Sequence, residues 1–333
     1  MAKSPEPPEV ACVGETMAMV TPQEPEPLEV AGNFAVNAGG AESNVAMYLA
    51  ALGHRAAWVS RLGEDPLGRR VLRRVSAAGV DTSWVEMGRD APTGVYFKDP
   101  GAGRTDVFYY RRGSAASKMT LAVVAPLLEV PAGPRLFHVT GITPALSPEC
   151  DAMAEGLIRA VRARGATASF DVNYRPGLWQ KHQAAGRLLS LAQQADIVFV
   201  GADEAHGLWG TKGPEDVRRL IDRPAVLVVR DGAVGATAFS PDGETFVPSL
   251  HVVIKEPVGG GDAFVAGWLS GWLRGLEAQR CLRLGHAVAC VALLSTDDYQ
   301  RPSSVPWFAG VLELDDDGWA EVQLGHERSG TGS

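Results

Sequence analysis

Glu256-Pro257-Val258-Gly259-Gly260-Gly261-Asp262-Ala263-Phe264 decides how this chain is read. Three glycines run straight into a segment whose apolar residues, Ala263, Phe264, Ala266 and Leu269, recur at helical spacing. A glycine turn feeding a helix N-terminus leaves backbone N–H groups without intrahelical partners and presents the positive end of the helix dipole. Such a terminus holds anions, phosphate among them. Asp262 then has two readings. It caps the helix, or its carboxylate takes a proton from an attacking hydroxyl while the N–H groups at Gly259, Gly260 and Gly261 hold the developing phosphate charge.

Far upstream, Asn37-Ala38-Gly39-Gly40-Ala41-Glu42-Ser43-Asn44-Val45-Ala46 repeats the pattern of two glycines opening a helix. Its amide and N–H groups suit the hydroxyls of a sugar, or serve only as a turn and cap. Between the two stretches, short apolar runs alternate with helical patterns. Val10–Val13, Trp58-Val59, Leu136–Thr140, Thr167–Val172, Ile197–Val200 and Val226–Val229 read as strands. Asp65-Pro66 and Ser147-Pro148 read as capped helix starts, with Gly53, Gly79 and Gly165 as stops. Helices follow at 40–52, 66–78, 148–165, up to Gln194, 262–276 and 279–294. Buried strands between helices specify an α/β chain with a mostly parallel sheet covered on both faces. One stretch breaks the alternation. Thr93–Lys98 and Val107–Arg112, rich in Val, Tyr and Phe, flank Asp99-Pro100-Gly101-Ala102-Gly103, a hairpin signal that assigns them to a small accessory sheet.

The rest of the composition narrows the class. The 333 residues are 46% hydrophobic and 21% charged, with Lys+Arg 31 against Asp+Glu 39 for a formal charge of -8. That balance provides no basic face for nucleic acid or a membrane surface. No apolar run approaches the roughly 18 residues of a membrane helix, and MAKSPEPPEV has no apolar core of a secretory signal. Cys12, Cys150, Cys281 and Cys290 form no C-x-x-C, which reads as free thiols of a reducing cytoplasm. No G-x-x-x-x-G-K-[ST] occurs, and Phe264 stands where G-x-G-x-x-G requires its last glycine. Nucleophile-elbow and zinc-protease motifs are also missing.

Gly39-Gly40-Ala41-Glu42-Ser43-Asn44, Arg61-Leu62-Gly63-Glu64-Asp65-Pro66-Leu67-Gly68 and Gly259-Gly260-Gly261-Asp262-Ala263-Phe264 occur in the order seen in the ribokinase-like (PfkB) carbohydrate kinases. The chain resembles that family over about residues 10 to 300. Val107-Phe108-Tyr109-Tyr110-Arg111-Arg112-Gly113-Ser114-Ala115, His138 to Ser147 and Phe170-Asp171-Val172-Asn173-Tyr174-Arg175 look like the branch that phosphorylates the sugar acid 2-keto-3-deoxygluconate on its 6-hydroxyl. The resemblance implies a three-layer α/β fold, a central mostly parallel sheet between helices with a small β-sheet lid from about 15–38 and 92–113. It implies one kinase domain over 9–314; the Pro- and Glu-rich residues 1–8 and the Gly-, Ser- and Thr-ended residues 322–333 read from composition as disordered tails. ATP and Mg²⁺ are the implied cofactors, a sugar acid the implied small-molecule partner, and a homo-oligomer through the lid the implied assembly.

Residue roles follow from the same resemblance. Asp262 aligns with the catalytic base and Gly259, Gly260 and Gly261 with the anion hole. Gly40, Ala41, Glu42, Ser43 and Asn44 align with the sugar-binding turn. Tyr96, Tyr109, Arg111, Ile142, Arg175 and Asp298 align with substrate contacts. Asn173, Arg230, Asp231, Gly232, Ala233, Val234, Gly235 and His286 align with the nucleotide side, and Glu204 with an indirect, water-mediated metal contact. Two arginines suit a carboxylate, for which guanidinium is the fork-shaped partner; read without the resemblance they serve as well as solvated surface, and the tyrosines as sheet packing. Three positions depart from the family pattern. Gly260 stands where Ala is usual, Gly201 replaces an Asn ahead of Glu204, and His286 takes the place of an adenine-side Asn. Another kinase of the family, such as a fructokinase, and a silent sugar-acid sensor are the alternatives.

Overall fold

The computed structural model describes residues 6–100, 105–254, 258–295, 298–302 and 305–324. The chain opens with β1 (Val10–Val13), crosses into β2 (Met17–Pro22) and β3 (Phe34–Gly39), and returns through α1 (Ala41–Ala51), β4 (Ala56–Gly63), α2 (Pro66–Ala77) and β5 (Val85–Gly88). It leaves again for β6 (Val95–Pro100) and β7 (Thr105–Tyr110), then alternates through α3 (Leu121–Leu128), β8 (Leu136–Thr140), α4 (Pro148–Ala163), β9 (Thr167–Asp171), α5 (Lys181–Ala192) and β10 (Ile197–Gly201). Next come α6 (Ala202–Trp209), α7 (Pro214–Leu220), β11 (Val226–Asp231), β12 (Gly235–Ser240), β13 (Gly243–Pro248) and β14 (His251–Val252). The chain closes with α8 (Gly260–Leu273), α9 (Ala278–Leu293), α10 (Val305–Leu312), α11 (Asp316–Ala320) and β15 (Gln323–Leu324).

Two sheets divide the work. The large sheet has nine strands in the order β13-β12-β11-β10-β9-β8-β1-β4-β5. From β11 to β5 its pairings are parallel, and β11-β12-β13 adds an antiparallel edge. Alternation along β1 shows why the sheet is covered twice. Val10 and Cys12 enter the core shared with α1, α8 and α9, while Ala11 and Val13 enter the core shared with α3, α4 and α5. The expected caps hold their helices: Asp65 accepts from Gly68 N with Pro66 behind it, and Ser147 accepts from Cys150 N with Pro148 behind it. On α2, Val71 and Val75 face inward between exposed arginines, each burial contributing about 1.5–3 kcal/mol.

Strand order reverses at β1, whose neighbours are β4 and β8. In an open parallel sheet, ligands bind outside the carboxyl ends of the strands at such a reversal. The small sheet, in the order β3-β2-β6-β7, stands over this end. It is the expected lid, with its hairpin paired from Val95↔Tyr110 to Pro100↔Thr105; residues 101–104 lie outside the described residues.

Two expectations need amendment. The edge hairpin β12-β13 was not anticipated. Residues 322–324, expected as part of a tail, belong to the folded body, because Gln323–Leu324 pair with His251–Val252 and Trp319 is buried. Residues 1–5 and 325–333, expected as tails, lie outside the described residues. Among the described residues, no helix is long and apolar enough to cross a membrane.

Candidate active site

The loop after β14 enters α8 through Gly259, whose φ of +86° is the left-handed conformation that favours glycine. A Cβ there would stand 2.5 Å from the carbonyl oxygen of Asp298, so the loop and Asp298 are in close register. Asp262 lies in the first turn of α8, and the helix has no side-chain cap. The capping alternative therefore falls away. Asp262 Oδ2 instead accepts from Asn44 Nδ2 at 2.9 Å, and Oδ1 lies 3.5 Å from Asn173 Nδ2. Burial raises the Asp262 carboxyl above its ordinary value, opposed by the Asn44 hydrogen bond and the Arg175 charge.

Both amides are themselves committed. Asn44 sits on the first turn of α1, and Asn173 follows β9 with a φ of +36°, an uncommon conformation for a side-chain-bearing residue. Their Oδ1 atoms are buried without a hydrogen-bond partner in the described structure. Orphaned acceptors beside a carboxylate can each accept from a further donor, a hydroxyl among them.

Four charged groups surround this centre. Arg230 turns inward from β11, where Nη2 lies 2.8 Å from Asp171 Oδ1 and Nη1 donates to Gly261 O at 3.1 Å. It braces the anion loop. Burial pushes the Asp171 carboxyl up, to about 7, with Arg230 pulling the other way. Glu204 Oε2 accepts from Gly201 N at 2.9 Å, satisfying the first turn of α6, and its Oε1 is 3.8 Å from Arg175 Nη1. The Arg175 side chain is 47% exposed at the carboxyl end of β9, open to a ligand.

The lid supplies the other wall. Tyr96 and Lys98, two residues apart on β6, share its inner face. Tyr96 donates to Asp298 Oδ2 at 2.5 Å, and Lys98 Nζ lies 2.6 Å from Asp298 Oδ1. Gly39 comes so close that a Cβ would lie 1.9 Å from the Tyr96 hydroxyl. Tyr109, opposite Tyr96 in register, packs with ring centroids 5.7 Å apart. Arg111 follows β7 and is buried against Glu15, with Nε donating to Glu15 Oε2 at 2.6 Å.

The structure thus brings Asp262, Gly259 to Gly261, Asn44, Asn173, Asp298, Tyr96, Arg175, Arg230 and Glu204 to one end of the sheet. The remaining expected residues are held by contacts of their own. Glu42 is fully buried, and its Oε1 accepts from Thr140 N, Thr140 Oγ1 and Thr143 Oγ1, so it ties α1 to the end of β8. Gly40 is the N-cap residue of α1, Ala41 is buried behind it, and Ser43 Oγ donates to Gly40 O. Ile142 is half-buried after β8. Asp231 ends β11 and the buried Gly235 begins β12, with Gly232, Ala233 and Val234 forming the exposed turn between them. His286 does not reach the cleft surface. Its Nε2 meets Val247 O at 3.2 Å, its ring packs edge-on to Phe264, and burial lowers its pKa to about 4. The sequence reading missed Glu15, Lys98 and the brace at Asp171; Asp171 alone carried a signal, inside the Asp171-Val172-Asn173 run.

The fold agrees with that of known proteins to which the chain is similar. The pfkB family carbohydrate kinase model matches residues 7–303, and the chain belongs to that family. It is a carbohydrate kinase, an enzyme that transfers a phosphoryl group to an alcohol. It is 36% identical over 291 residues to the 2-dehydro-3-deoxygluconokinase of Bacillus subtilis, spanning 86% of this chain and 89% of that one. Its fold is similar to the 2-dehydro-3-deoxygluconokinase of Thermotoga maritima, with a TM-score of 0.80, 25% identity, and 92% and 98% of the two chains covered. The fructokinase of Xylella fastidiosa, solved with bound ATP, gives a TM-score of 0.79 at 25% identity over 90% and 97%.

Proposed function

We propose that this kinase transfers the γ-phosphoryl group of ATP to the 6-hydroxyl of 2-keto-3-deoxygluconate, which is another name for 2-dehydro-3-deoxygluconate. The observation that carries the reading is Asp262, released from capping and held by Asn44 at the open N-terminus of α8. Asp262 takes the hydroxyl proton as the sugar oxygen bonds to the γ-phosphorus. The bond from that phosphorus to the β,γ-bridging oxygen breaks, and ADP leaves. N–H groups at the start of α8 hold the charge on the transferring group. Asn44 offers its free oxygen to a sugar hydroxyl, and Asn173 its own toward the nucleotide side. Arg175, with Arg111 from the lid side, meets the carboxylate that separates a sugar acid from a neutral hexose. Relatives that bear the name of this activity support the choice of substrate.

The Mg²⁺ that accompanies ATP fits the residues present. Among the described residues no three His, Cys, Asp or Glu side chains could hold a metal ion together, and Mg²⁺ bound to phosphates keeps most of its waters and needs few carboxylates. Glu204 is the carboxylate placed to take such a water; the ion neutralises phosphate charge when bound. We assign the kinase domain to 9–314 and the cytoplasm as its place of action. The outer face of the lid, which exposes Phe34, Phe108 and Tyr110, is the surface on which two copies would pair; sedimentation as a monomer at working concentration refutes that assembly.

The test is ADP release with Mg²⁺-ATP against 2-keto-3-deoxygluconate, its galactonate epimer, fructose, ribose and adenosine. Dominant turnover of the sugar acids is expected. A dominant neutral sugar breaks the carboxylate assignment and keeps the kinase, whereas binding of the acids without ADP release makes the chain a sensor.

A further inference from the structure

Four crossings join the lid to the body: Gly14–Thr16 between β1 and β2, Gly40 between β3 and α1, Pro92–Gly94 ahead of β6, and Arg111–Ser114 after β7. One residue meets all of them, through its side chain at two of the other three crossings and through its backbone at Gly40. Glu15 is 2% exposed. Its Oε2 accepts from Arg111 Nε at 2.6 Å and pairs also with Arg111 Nη2, while Oε1 accepts from Ser114 Oγ. A Cβ on Gly94 would lie 3.0 Å from Glu15 Oε1, and one on Gly40 would lie 2.3 Å from the Glu15 carbonyl oxygen.

Stability is a poor reason for this arrangement. Desolvating two charges offsets most of their attraction, and packed apolar residues of the same volume do as well or better. Geometry offers a better one. The carboxylate grips the Nε–Nη2 edge of a planar fork that has five N–H donors, which directs the Nη1 edge away from Glu15. The guanidinium carbon lies 5.7 Å from the centre of the Tyr109 ring. From Tyr109 the contacts run to Tyr96 and on to Asp298, which abuts Gly259 of the anion loop. Arg111 therefore stands at the lid end of a contact line that finishes at the phosphate-holding turn.

We propose that Glu15 is a positioning residue for substrate selection: it fixes Arg111 at the lid hinge so that the free edge of the guanidinium meets the carboxylate of the sugar acid. Glu15 acts through Arg111 and does not touch the substrate. The proposal rests on the sugar-acid reading above, so the experiment begins with the wild-type enzyme on 2-keto-3-deoxygluconate and on fructose. Preference for fructose overturns both readings. With preference for the acid established, Glu15→Gln, Arg111→Met and the double variant are compared by KM and kcat.

Glu15→Gln keeps size and one acceptor but loses the charged grip. It is expected to raise KM for the acid about tenfold, the equivalent of one good hydrogen bond, with KM for ATP unchanged. The double variant is expected to be no worse than Arg111→Met alone, because Glu15 has nothing left to position. An unchanged or lowered KM in Glu15→Gln, or effects that multiply in the double variant, overturns the proposal. Should Glu15→Gln fail to fold, Glu15→Asp keeps the charge and shortens the reach. It is expected to raise KM for the acid several-fold with KM for ATP unmoved, and an unchanged KM for the acid overturns the proposal equally.

Discussion

Replacing Gly259 with alanine tests the anion loop at its tightest point. Two separate penalties follow from the structure. At φ +86° an L side chain is strained, which costs about 1–2 kcal/mol. The added Cβ also stands 2.5 Å from the Asp298 carbonyl oxygen, where ordinary contact begins at 3.4 Å. That atom belongs to the backbone and has no rotamer by which to yield. The loop or the Asp298 segment must withdraw by roughly an ångström, and a displacement of that size near the reacting atoms lowers rate about 10²-fold. The expected result for Gly259→Ala is kcat down about 10²-fold in an ADP-release assay, with a melting temperature lower by roughly 2–6 °C. Gly260→Ala is the matched control. Its Cβ meets only Leu293 Cδ2, at 2.9 Å, the end of a flexible side chain, and alanine is the better helix former by up to about 1 kcal/mol. That variant restores the usual family residue and should keep kcat within about threefold, a change below 1 kcal/mol in barrier height. Comparable damage in both variants, or an intact rate in Gly259→Ala, refutes the reasoning.

Four further outcomes are expected. Asp262→Asn should lower kcat by about 10²–10⁴-fold with sugar KM nearly unmoved; a near-normal rate in that variant removes the base assignment. Because the base works only when deprotonated, and burial raises the Asp262 pKa, activity should be lost on acidification at a pH above the ordinary aspartate range. Asn44→Ala removes the hydrogen bond that opposes this rise, so it should move the acid limb of the pH–rate profile further upward; a downward move contradicts the assignment. All four cysteines are buried, and burial holds the Cys150 thiol at about 11 and those of Cys281 and Cys290 at about 12. Native enzyme near neutral pH should therefore resist iodoacetamide under conditions that alkylate all four after unfolding, and rapid labelling of the native chain would contradict that burial.

Most of the frame could be read from the chain because its signals are local. Asp65-Pro66 and Ser147-Pro148 cap the helices they announce, and the Tyr- and Phe-rich runs around residue 100 form the lid hairpin. The β12-β13 hairpin escaped because Gly235-Ala236-Thr237-Ala238 is built of small residues with weak alternation, although Asp242-Gly243 marks its turn. In the site, Asp262 was readable from its glycines. Its true partners were not, since Asn44 is 218 residues distant. Glu15 and Lys98 lie in no pattern that spacing reveals. Each gains its meaning only when the lid folds over and brings Arg111 and Asp298 against it. Glu42 shows the converse: a polar residue at a promising turn whose carboxyl is taken up inside the protein.

The lid has almost nothing of its own to stand on. Met17, Met19 and Tyr96 are its separate buried cluster, with Val107 packed against them. A sheet with so little interior cannot keep its shape alone, so its order is borrowed from the body beneath and from whatever lies between. Its amide hydrogens should exchange with solvent long before those of the large sheet, and a bound sugar should slow them selectively. On the proposed transfer, the smallness of that cluster would set how briefly the γ-phosphate meets water when no sugar is present, and how readily product escapes once the transfer is done.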